Sequence, residues 1–234
     1  MTRPELSDSL DLAVLRQLSG ADDAVTDPRA MLREVQLRMA SFLMEYKFAL
    51  DEVETKISIL REEFELVHDY SPIEHVKSRL KSVESLVAKV ERTGCPRDLA
   101  VIRERIHDIA GIRVSCAFVE DTYRFARMLT QQQDLKVLQV KDYIAEPKPN
   151  GYRSLHLIVQ LPVFLSDRTV HVPVEVQIRT IAMDFWASVE HQIYYKYGKQ
   201  VPEHLSGTLR DVASTAADLD MQMGHLREEI RSLA

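Results

Sequence analysis

Two acidic residues stand beside predicted strands, where a carboxylate could do chemistry. Asp108 precedes a strand of branched residues at 112–118, and Glu175 lies inside a later strand, where alternation sets it opposite the valines. A lone buried carboxylate is costly. A magnesium ion, which takes one or two carboxylates with phosphate oxygens and water, would satisfy it. An ion pair of Glu175 with Arg113 or Arg179 is the alternative.

A basic stretch follows the capping box at residues 71–74 (Ser-Pro-Ile-Glu), in which proline takes the first helical position. This signal predicts a helix that begins there, and on it Lys81, Ser85 and Lys89 fall at i, i+4 and i+8 of one face. Arg79 stands half a turn away. Such a row could hold a polyphosphate through point charges and a hydroxyl. It could also be the solvated basic face of a surface helix.

A second group of basic residues lies in or beside predicted strands: Lys141, Lys148, Arg153, His156 and Arg179. In the strand at 154–161, alternation puts Ser154, His156 and Ile158 on one face. Polar side chains committed to the inner face of a central strand usually line a site. A hydrogen-bonded core histidine is the alternative for His156.

An aromatic ring stands on a tight turn at Asn150-Gly151-Tyr152. Gly151 makes the turn and presents Tyr152, whose ring is a natural stacking surface for a purine. A tyrosine packed against the sheet edge explains the same pattern. Gly111, just ahead of the first strand, allows close backbone approach there.

Other catalytic motifs are missing from the sequence. It has neither a GxxxxGK[ST] loop nor a GxGxxG stretch, which argues against a P-loop NTPase. Neither GxSxG nor HExxH occurs. The chemistry must therefore come from the acids, the two basic groups and the tyrosine turn.

Composition and charge are those of an ordinary globular protein. The net charge of −6 argues against general binding to nucleic acid or to an anionic membrane, although it allows a local basic pocket. Cys95 and Cys116 form no metal-binding pair and are expected to be reduced thiols. No apolar run of about 20 residues and no signal-peptide core occurs. We expect a cytoplasmic protein that needs neither membrane nor nucleic acid.

The elements that must position these residues form an α+β pattern. Residues 1–27 are expected to be a mobile N-terminal arm with a short helix at 10–18, and residues 28–234 a single domain. Besides the helix after the capping box, helices are predicted at 30–67, 98–106, 121–132, 181–197 and 203–233. Strands are predicted at 112–118, 135–144, 154–161 and 170–178. Helices would then flank a small sheet of four or five strands.

Four short segments, taken in order, resemble the RelA/SpoT-type alarmone synthetase family. They are the set Arg79, Lys81, Ser85 and Lys89, then residues 108–113 (DIAGIR), 150–156 (NGYRSLH) and 175–180 (EVQIRT). The resemblance covers about residues 70–200, and four segments in family order at compatible spacing are highly specific. Residues 181–191 look like the small, single-domain synthetases. The chain is therefore expected to lack the hydrolase and regulatory regions of the long enzymes.

This resemblance implies a fold and a reaction. The fold is a nucleotidyltransferase-like α+β core, with a mixed sheet of four to five strands flanked by helices. The reaction is transfer of a pyrophosphoryl group from ATP to the 3′-hydroxyl of GDP or GTP, with AMP as by-product and Mg²⁺ as cofactor. GMP is a further acceptor to consider. The products would be ppGpp and pppGpp, the alarmones of the stringent response.

The resemblance also implies a role for each matching residue. Asp108 and Glu175 would bind Mg²⁺, and Glu175 is the candidate general base. The alternative is that the metal itself acidifies the hydroxyl, because a carboxylate bound to Mg²⁺ is a poor base. Tyr152 would stack on the guanine. The residues that hold ATP would be Arg79, Lys81, Ser85, Lys89 and Arg113. The other residues of the acceptor site would be Asn150, Lys141, Lys148, His156, Gln177 and Arg179.

Two other functions fit the same residues. One is a catalytically silent sensor that binds guanine nucleotides or RNA, although two acids beside phosphates would repel anions without a metal. The other is an enzyme that transfers a nucleotidyl rather than a pyrophosphoryl group.

The amphipathic helices predicted at 28–67 and 203–233 are longer than is needed to cover a small sheet. We expect them to bury apolar faces against other subunits, and the resemblance implies a homotetramer. Folding back onto their own core is the alternative.

Overall fold

Six helices and five strands make up the residues that the computed structural model describes, which are 28–68, 70–197 and 201–233. The helices are α1 (Pro28–Val67), α2 (Val83–Thr93), α3 (Leu99–Arg105), α4 (Val119–Thr130), α5 (Ile181–Tyr197) and α6 (Glu203–Leu233). The strands are β1 (His75–Leu80), β2 (Ala110–Cys116), β3 (Lys136–Asp142), β4 (Leu155–Phe164) and β5 (Thr169–Thr180). The predicted α+β class and the predicted strand number are confirmed. The predicted arm at 1–27 and its helix at 10–18 lie outside the described residues.

The strands form one mixed sheet in the order β1-β2-β5-β4-β3. Its central strands are apolar on one face, because branched residues recur there with a period of two. In β5, Val174, Val176 and Ile178 are fully buried, whereas Glu175 and Gln177 are half-buried. The alternation predicted for this strand is therefore confirmed, and it turns the carboxylate and the amide to the same face.

Residues 75–80 form the edge strand β1, where the capping box predicted a helix. The prediction was wrong because Val76 and Leu80, four residues apart, fit the period of a strand as well as that of a helix. Ser71 Oγ does accept a hydrogen bond from Ile73 N–H, at 3.1 Å, but that bond closes a short turn. The backbone of β1 then finds its partners on β2.

The helix predicted in this stretch begins later, as α2. Ser82 is its N-cap and accepts a hydrogen bond from Ser85 N–H at 3.2 Å, and Gly94 ends it with a φ of 62°. Lys81 therefore lies in the connection between β1 and α2. The predicted row of Lys81, Ser85 and Lys89 on one helical face is wrong.

The other predicted helices and strands are present, with ends within three residues of those predicted. In α1 the buried positions Val35, Met39, Phe42, Tyr46 and Val53 follow the helical period and confirm its amphipathic character. In the described ranges, no helix combines the length and the apolar character that a bilayer span needs.

Two compact units share the chain. The first holds the described residues up to Val53 together with Ser78–Gly111 and Gln160–Glu175. The second holds Glu54–Lys77, Ile112–Val159 and the described residues from Val176 onward. The predicted metal and phosphate ligands, with the exception of Arg113, fall in the first unit, and the predicted acceptor site falls in the second.

Candidate active site

The acid predicted ahead of the first strand, Asp108, contacts two lysines. Lys89 Nζ lies 2.6 Å from Asp108 Oδ2, and Lys81 Nζ lies 3.4 Å from the same oxygen. Lys89 comes from α2 and Lys81 from the connection before it, so the corner between β1 and α2 turns both ammonium groups onto one carboxylate. The structure thus brings together three predicted site residues, by a corner rather than by a helical row.

These contacts set the protonation of the acid. Burial by itself would raise the pKa of Asp108, but the hydrogen bond and charge of Lys89, with the charge of Lys81, hold that pKa below its ordinary value. Burial lowers the pKa of Lys81, while Asp108 raises it and the charges of Arg79 and Lys89 lower it. An ionised carboxylate therefore stands among basic side chains at neutral pH.

Asp108 keeps one oxygen for a further partner. Its Oδ1 is buried and has no hydrogen-bond partner among the described residues, which is costly unless something binds there. Glu175 lies on the strand next to β2, and a Cβ built on Gly111 would stand 3.8 Å from Glu175 O. No group of three or more potential metal-binding side chains occurs in the described part of the chain. One or two carboxylates suit Mg²⁺, which fills its other positions with water and substrate phosphates, so the buried Oδ1 of Asp108 fits a magnesium ion shared with a nucleotide.

Two other predicted phosphate-binding residues flank this corner. Arg79 is exposed on β1, and Ser85 is exposed in the first turn of α2. Ser85 Oγ accepts a hydrogen bond from Ser82 Oγ at 3.1 Å. Backbone N–H groups and the helix dipole favour anions at a helix N-terminus, so both the backbone and the side chains make this corner electropositive.

In the second unit, the hydroxyl of Tyr152 joins other predicted acceptor-site residues. Arg179 Nη2 donates to Tyr152 Oη at 2.7 Å, and Tyr152 Oη lies 2.8 Å from His156 Nε2. Arg179 Nη2 also donates to Gln177 Oε1 at 3.1 Å. The side chain of Arg179 is 4% exposed, so it holds the tyrosine from inside the protein. These side chains form one hydrogen-bonded group, which places His156 both in the core and in the candidate site.

The turn that carries Tyr152 is fastened to two helices. Gly151 has a φ of 90°, and a Cβ built on it would stand 2.5 Å from Ala213 Cβ of α6, so only glycine fits. Both polar atoms of the Asn150 side-chain amide form hydrogen bonds. Its Oδ1 accepts from Tyr152 N–H at 3.2 Å, and its Nδ2 donates to Glu190 Oε1 of α5 at 3.0 Å. Asn150 therefore builds the turn.

The ring of Tyr152 has aromatic and basic neighbours. Lys148 Nζ stands 4.6 Å from the ring centroids of both Tyr143 and Tyr152, a cation–π distance. The ring of Trp186, on α5, packs edge-on against Tyr152 with centroids 6.4 Å apart. Lys141 is exposed on β3 and is not among the residues in these contacts. The structure thus gathers Lys148 to the tyrosine turn and leaves Lys141 outside the group.

Arg113, predicted to hold ATP, meets Arg179 at a shared carboxylate. Arg113 Nη1 lies 3.1 Å from Asp184 Oδ1, and Arg179 Nη1 donates to the same oxygen at 2.9 Å. Asp184 stands in the first turn of α5. One acid therefore serves an arginine expected on the ATP side and an arginine expected on the acceptor side.

Three residues of this arrangement were not found from the sequence: Tyr143, Asp184 and Glu190. The two acids lie in the 181–191 stretch that resembles small synthetases, but a charged residue on a helix after the last strand usually belongs to its solvated face. The partners of Asp184 are Arg113 on β2 and the buried Arg179 on β5, and the partner of Glu190 is Asn150. Local periodicity does not reveal such contacts.

Comparison with known proteins shows what this arrangement is similar to. Residues 78–200 match the family model described as a region found in RelA / SpoT proteins, and this range contains every residue predicted for the site. The chain is 52% identical over 188 residues to GTP pyrophosphokinase YwaC of Bacillus subtilis. The matched region covers 80% of this chain and 90% of that protein.

Two solved structures share the fold at substantial identity. Small alarmone synthetase 1 from Bacillus subtilis bound to its product pppGpp aligns with a TM-score of 0.77 and 40% identity, over 82% of this chain and 98% of that one. The same synthetase bound to AMPCPP aligns with a TM-score of 0.71 and 36% identity, over 83% of this chain and 98% of that one.

Proposed function

Because the chain belongs to the RelA/SpoT family, we propose that it is a GTP pyrophosphokinase, which transfers the pyrophosphoryl group of ATP to the 3′-hydroxyl of GDP or GTP. The products are the alarmones ppGpp or pppGpp, with AMP as by-product. The proposal rests above all on one observation: Asp108, one of whose oxygens is buried with no hydrogen-bond partner in the described ranges, stands between two lysines inside the region that matches the family.

The ATP side is assigned to the basic corner. Its phosphate-binding residues are Lys81, Ser85 and Lys89, and its Arg79 is assigned to the adenine. Ammonium groups, a hydroxyl and the N-terminus of α2 together offer the charge and the donors that a triphosphate needs. Arg113 adds a planar guanidinium, which suits stacking on an adenine.

The magnesium ion is assigned to Asp108 and Glu175. Within the part of the chain that the structure describes, Asp108 Oδ1 is buried without a hydrogen-bond partner while Oδ2 faces the lysines, so an ion on Oδ1 leaves both ammonium groups in place. The lowered pKa of Asp108 keeps it ionised and ready to bind a cation. When bound, the ion would supply positive charge that neutralises phosphate oxygens.

The acceptor nucleotide is assigned to the tyrosine turn. The ring of Tyr152 would stack on guanine, because the turn and the buried Arg179 fix its orientation. Lys148, now over that ring, would contact the acceptor's phosphates instead, and the exposed Lys141 would add charge nearby. The remaining members of the acceptor site are Asn150, His156 and Gln177.

In the transfer, the acceptor O3′ attacks the β-phosphorus of ATP, the bond from that phosphorus to the α,β-bridging oxygen breaks, and AMP leaves. The protein's part is to hold both nucleotides in line and to offset the charge that develops. The hydroxyl proton needs an acceptor, and Glu175, half-buried on β5, is assigned as the general base.

Isotope transfer tests the proposal. ATP labelled at the β- and γ-phosphorus, in parallel with ATP labelled at the α-phosphorus, is incubated with Mg²⁺ and GMP, GDP or GTP. We expect the β and γ labels to move together onto the guanine nucleotide and the α label to stay in AMP. Movement of the α label would identify a nucleotidyl transferase, and movement of no label would identify a sensor that only binds.

We also propose that the long helices assemble a homotetramer around single-domain protomers. Along α6 the exposed apolar residues are Val212, Leu219, Met221, Met223, Leu226, Ile230 and Leu233. Leu219, Met223, Leu226, Ile230 and Leu233 are spaced alternately by four and three, which is the period of a helix–helix seam. Light scattering coupled to size exclusion tests this assembly, and a monomer at micromolar concentration would reject it.

The compartment assigned to the enzyme is the cytoplasm, where its nucleotide substrates are made and used. The buried and unpaired Cys95 and Cys116 agree with a reducing compartment. Cell fractionation with antibodies against the chain tests this placement.

A further inference from the structure

Asp184 is an acid to which the proposed reaction gives no role, yet it contacts two arginines assigned to the substrates. Its Oδ1 accepts a hydrogen bond from Arg179 Nη1 at 2.9 Å and lies 3.1 Å from Arg113 Nη1. The side chain of Arg179 is 4% exposed, that of Asp184 18% and that of Arg113 36%. The contact therefore runs from the interior of the second unit towards its surface.

The buried end of this chain of contacts sets the orientation of Tyr152. A guanidinium that is out of water needs a counter-charge, and Asp184 supplies one to Nη1 of Arg179. The other terminal nitrogen, Nη2, donates to Tyr152 Oη and to Gln177 Oε1. Because a guanidinium is planar and rigid, fixing Nη1 on Asp184 also fixes the direction in which Nη2 holds the tyrosine.

The carboxylate is itself held firmly. Asp184 lies in the first turn of α5, where the helix dipole favours a negative charge. Thr180 Oγ1 accepts from Met183 N–H at 3.1 Å and donates to the buried Asp220 at 2.7 Å, which ties the start of α5 to α6. The junction between β5 and α5 thus presents the oxygen of Asp184 at a fixed place.

We infer that Asp184 is a positioning residue for both substrates. Through Arg179 it sets the ring of Tyr152 for the acceptor base, and directly it sets the guanidinium of Arg113 for ATP. This inference rests on the proposed function, which assigns Arg179 to the acceptor nucleotide and Arg113 to ATP. If the contacts of Asp184 with the two arginines had a purely structural role, their removal would lower the stability of the protein and leave the substrate affinities unchanged.

The test compares Asp184→Asn with Asp167→Asn, a control in which an exposed carboxylate loses its pair with Arg168. Initial rates are measured with ATP varied at saturating GTP and with GTP varied at saturating ATP, and melting temperatures are recorded. We expect Asp184→Asn to raise both KM values by roughly tenfold, the loss typical of one charge-assisted hydrogen bond, and Asp167→Asn to leave both unchanged. Asp184→Glu keeps the charge but displaces the oxygen by one methylene, so it should raise both KM values by a smaller factor.

A melting temperature that falls while both KM values stay at the wild-type level would overturn the inference. So would a rise in the KM of one substrate alone, because the shared oxygen would then serve one site. If Asp184→Asn does not fold, the KM values of Asp184→Glu decide in the same way. Turnover by the wild-type protein in the same assay tests the proposed function separately. If the wild type shows no turnover, the proposed function fails whatever the variants do.

Discussion

Lys89 Nζ stands 2.6 Å from Asp108 Oδ2, and this contact joins α2 to the segment that leads into β2. It has two consequences. It helps to hold the pKa of Asp108 below its ordinary value although burial would raise it, and it leaves Oδ1 of the same carboxylate buried and without a hydrogen-bond partner among the described residues. One contact therefore both pairs the charge of Asp108 and leaves Oδ1 available to the proposed magnesium ion.

Replacing Lys89 by methionine should produce a pH-dependent loss of stability. Because the pKa of Asp108 is lower in the folded chain than in the unfolded one, its stabilising contribution is complete above the unfolded value of about 3.9 and is lost as the pH falls through the folded value. The difference in the free energy of unfolding between wild type and Lys89→Met should be about 1–2 kcal/mol above pH 5 and should shrink below about pH 4. Urea unfolding from pH 3 to 7 measures it. Lys47→Met, which removes an exposed pair with Asp51, is the control, and a difference that stays constant down to pH 3 would contradict the explanation.

Replacing Glu175 by glutamine should separate catalysis from binding. The amide keeps the size of the side chain but is a poor magnesium ligand and no base, so we expect kcat to fall at least about a hundredfold. Binding of GDP, measured by calorimetry without Mg²⁺, should stay within about twofold of wild type, because Glu175 is assigned only to the 3′-hydroxyl of the acceptor and not to its base or phosphates. Glu104→Gln, an exposed acid on α3, is the matched control. Full activity in Glu175→Gln would remove both the metal assignment and the base assignment.

The sequence was informative where one period dominated. The face of β5 that carries Glu175 and Gln177 follows from strict alternation, and the helix α1 follows from a long apolar stripe. Strand β1 was missed because its two apolar residues fit either period and because pairing with β2, a contact between distant segments, decided the outcome. Local patterns do not contain such pairings.

The candidate site shows the same division. Lys81 and Lys89 were predicted to share one helical face, but they meet instead at Asp108, across the corner between β1 and α2. Asp184 and Glu190 were missed because their partners lie on β2, on β5 and in the tyrosine turn. The residues proposed to bear the chemistry were chosen from their types, whereas the residues that hold them in place could not be found that way.

Replacing Tyr152 by alanine should affect one substrate far more than the other. Loss of the ring removes the stacking surface, which is worth about 1–3 kcal/mol per base, so the KM for the guanine nucleotide should rise at least about fivefold. The KM for ATP should change much less. Initial rates with each substrate varied in turn measure both values. Tyr194→Ala, which removes a 38% exposed tyrosine from α5, serves as the control. Equal increases in both KM values would place Tyr152 outside the acceptor site.

Glu190 should act on the acceptor through Asn150. Glu190→Ala leaves Asn150 Nδ2 without its partner on α5 and loosens the turn that presents Tyr152, so the KM for GTP should rise severalfold while the KM for ATP stays constant. Glu190→Gln keeps a carbonyl oxygen that can accept the same hydrogen bond and should recover most of the loss. Steady-state kinetics of the two variants test this. If Glu190→Gln is as impaired as Glu190→Ala, the negative charge and not the hydrogen bond is what the turn requires.

Adding a methyl group at Gly151 should disturb the fold more than at any helical glycine of α6. Gly151 has a φ of 90°, which is strained for alanine, and the new Cβ would stand 2.5 Å from Ala213 Cβ. We expect Gly151→Ala to lower the free energy of unfolding by about 1–3 kcal/mol and to raise the KM for GTP, because the turn carries Tyr152. Gly207→Ala is the control, since no described atom beyond its own stretch of helix lies within 4 Å of its added Cβ and alanine favours a helix by about 1 kcal/mol. The double variant Gly151→Ala/Ala213→Gly lacks the contact between the two methyl groups. It should recover the stability lost to that contact but not the stability lost to backbone strain. Urea unfolding of wild type, Gly151→Ala, Ala213→Gly and the double variant separates these two causes, because the single variant Ala213→Gly measures the cost of a glycine in α6. A Gly151→Ala protein as stable as wild type would show that the turn adopts another conformation in solution.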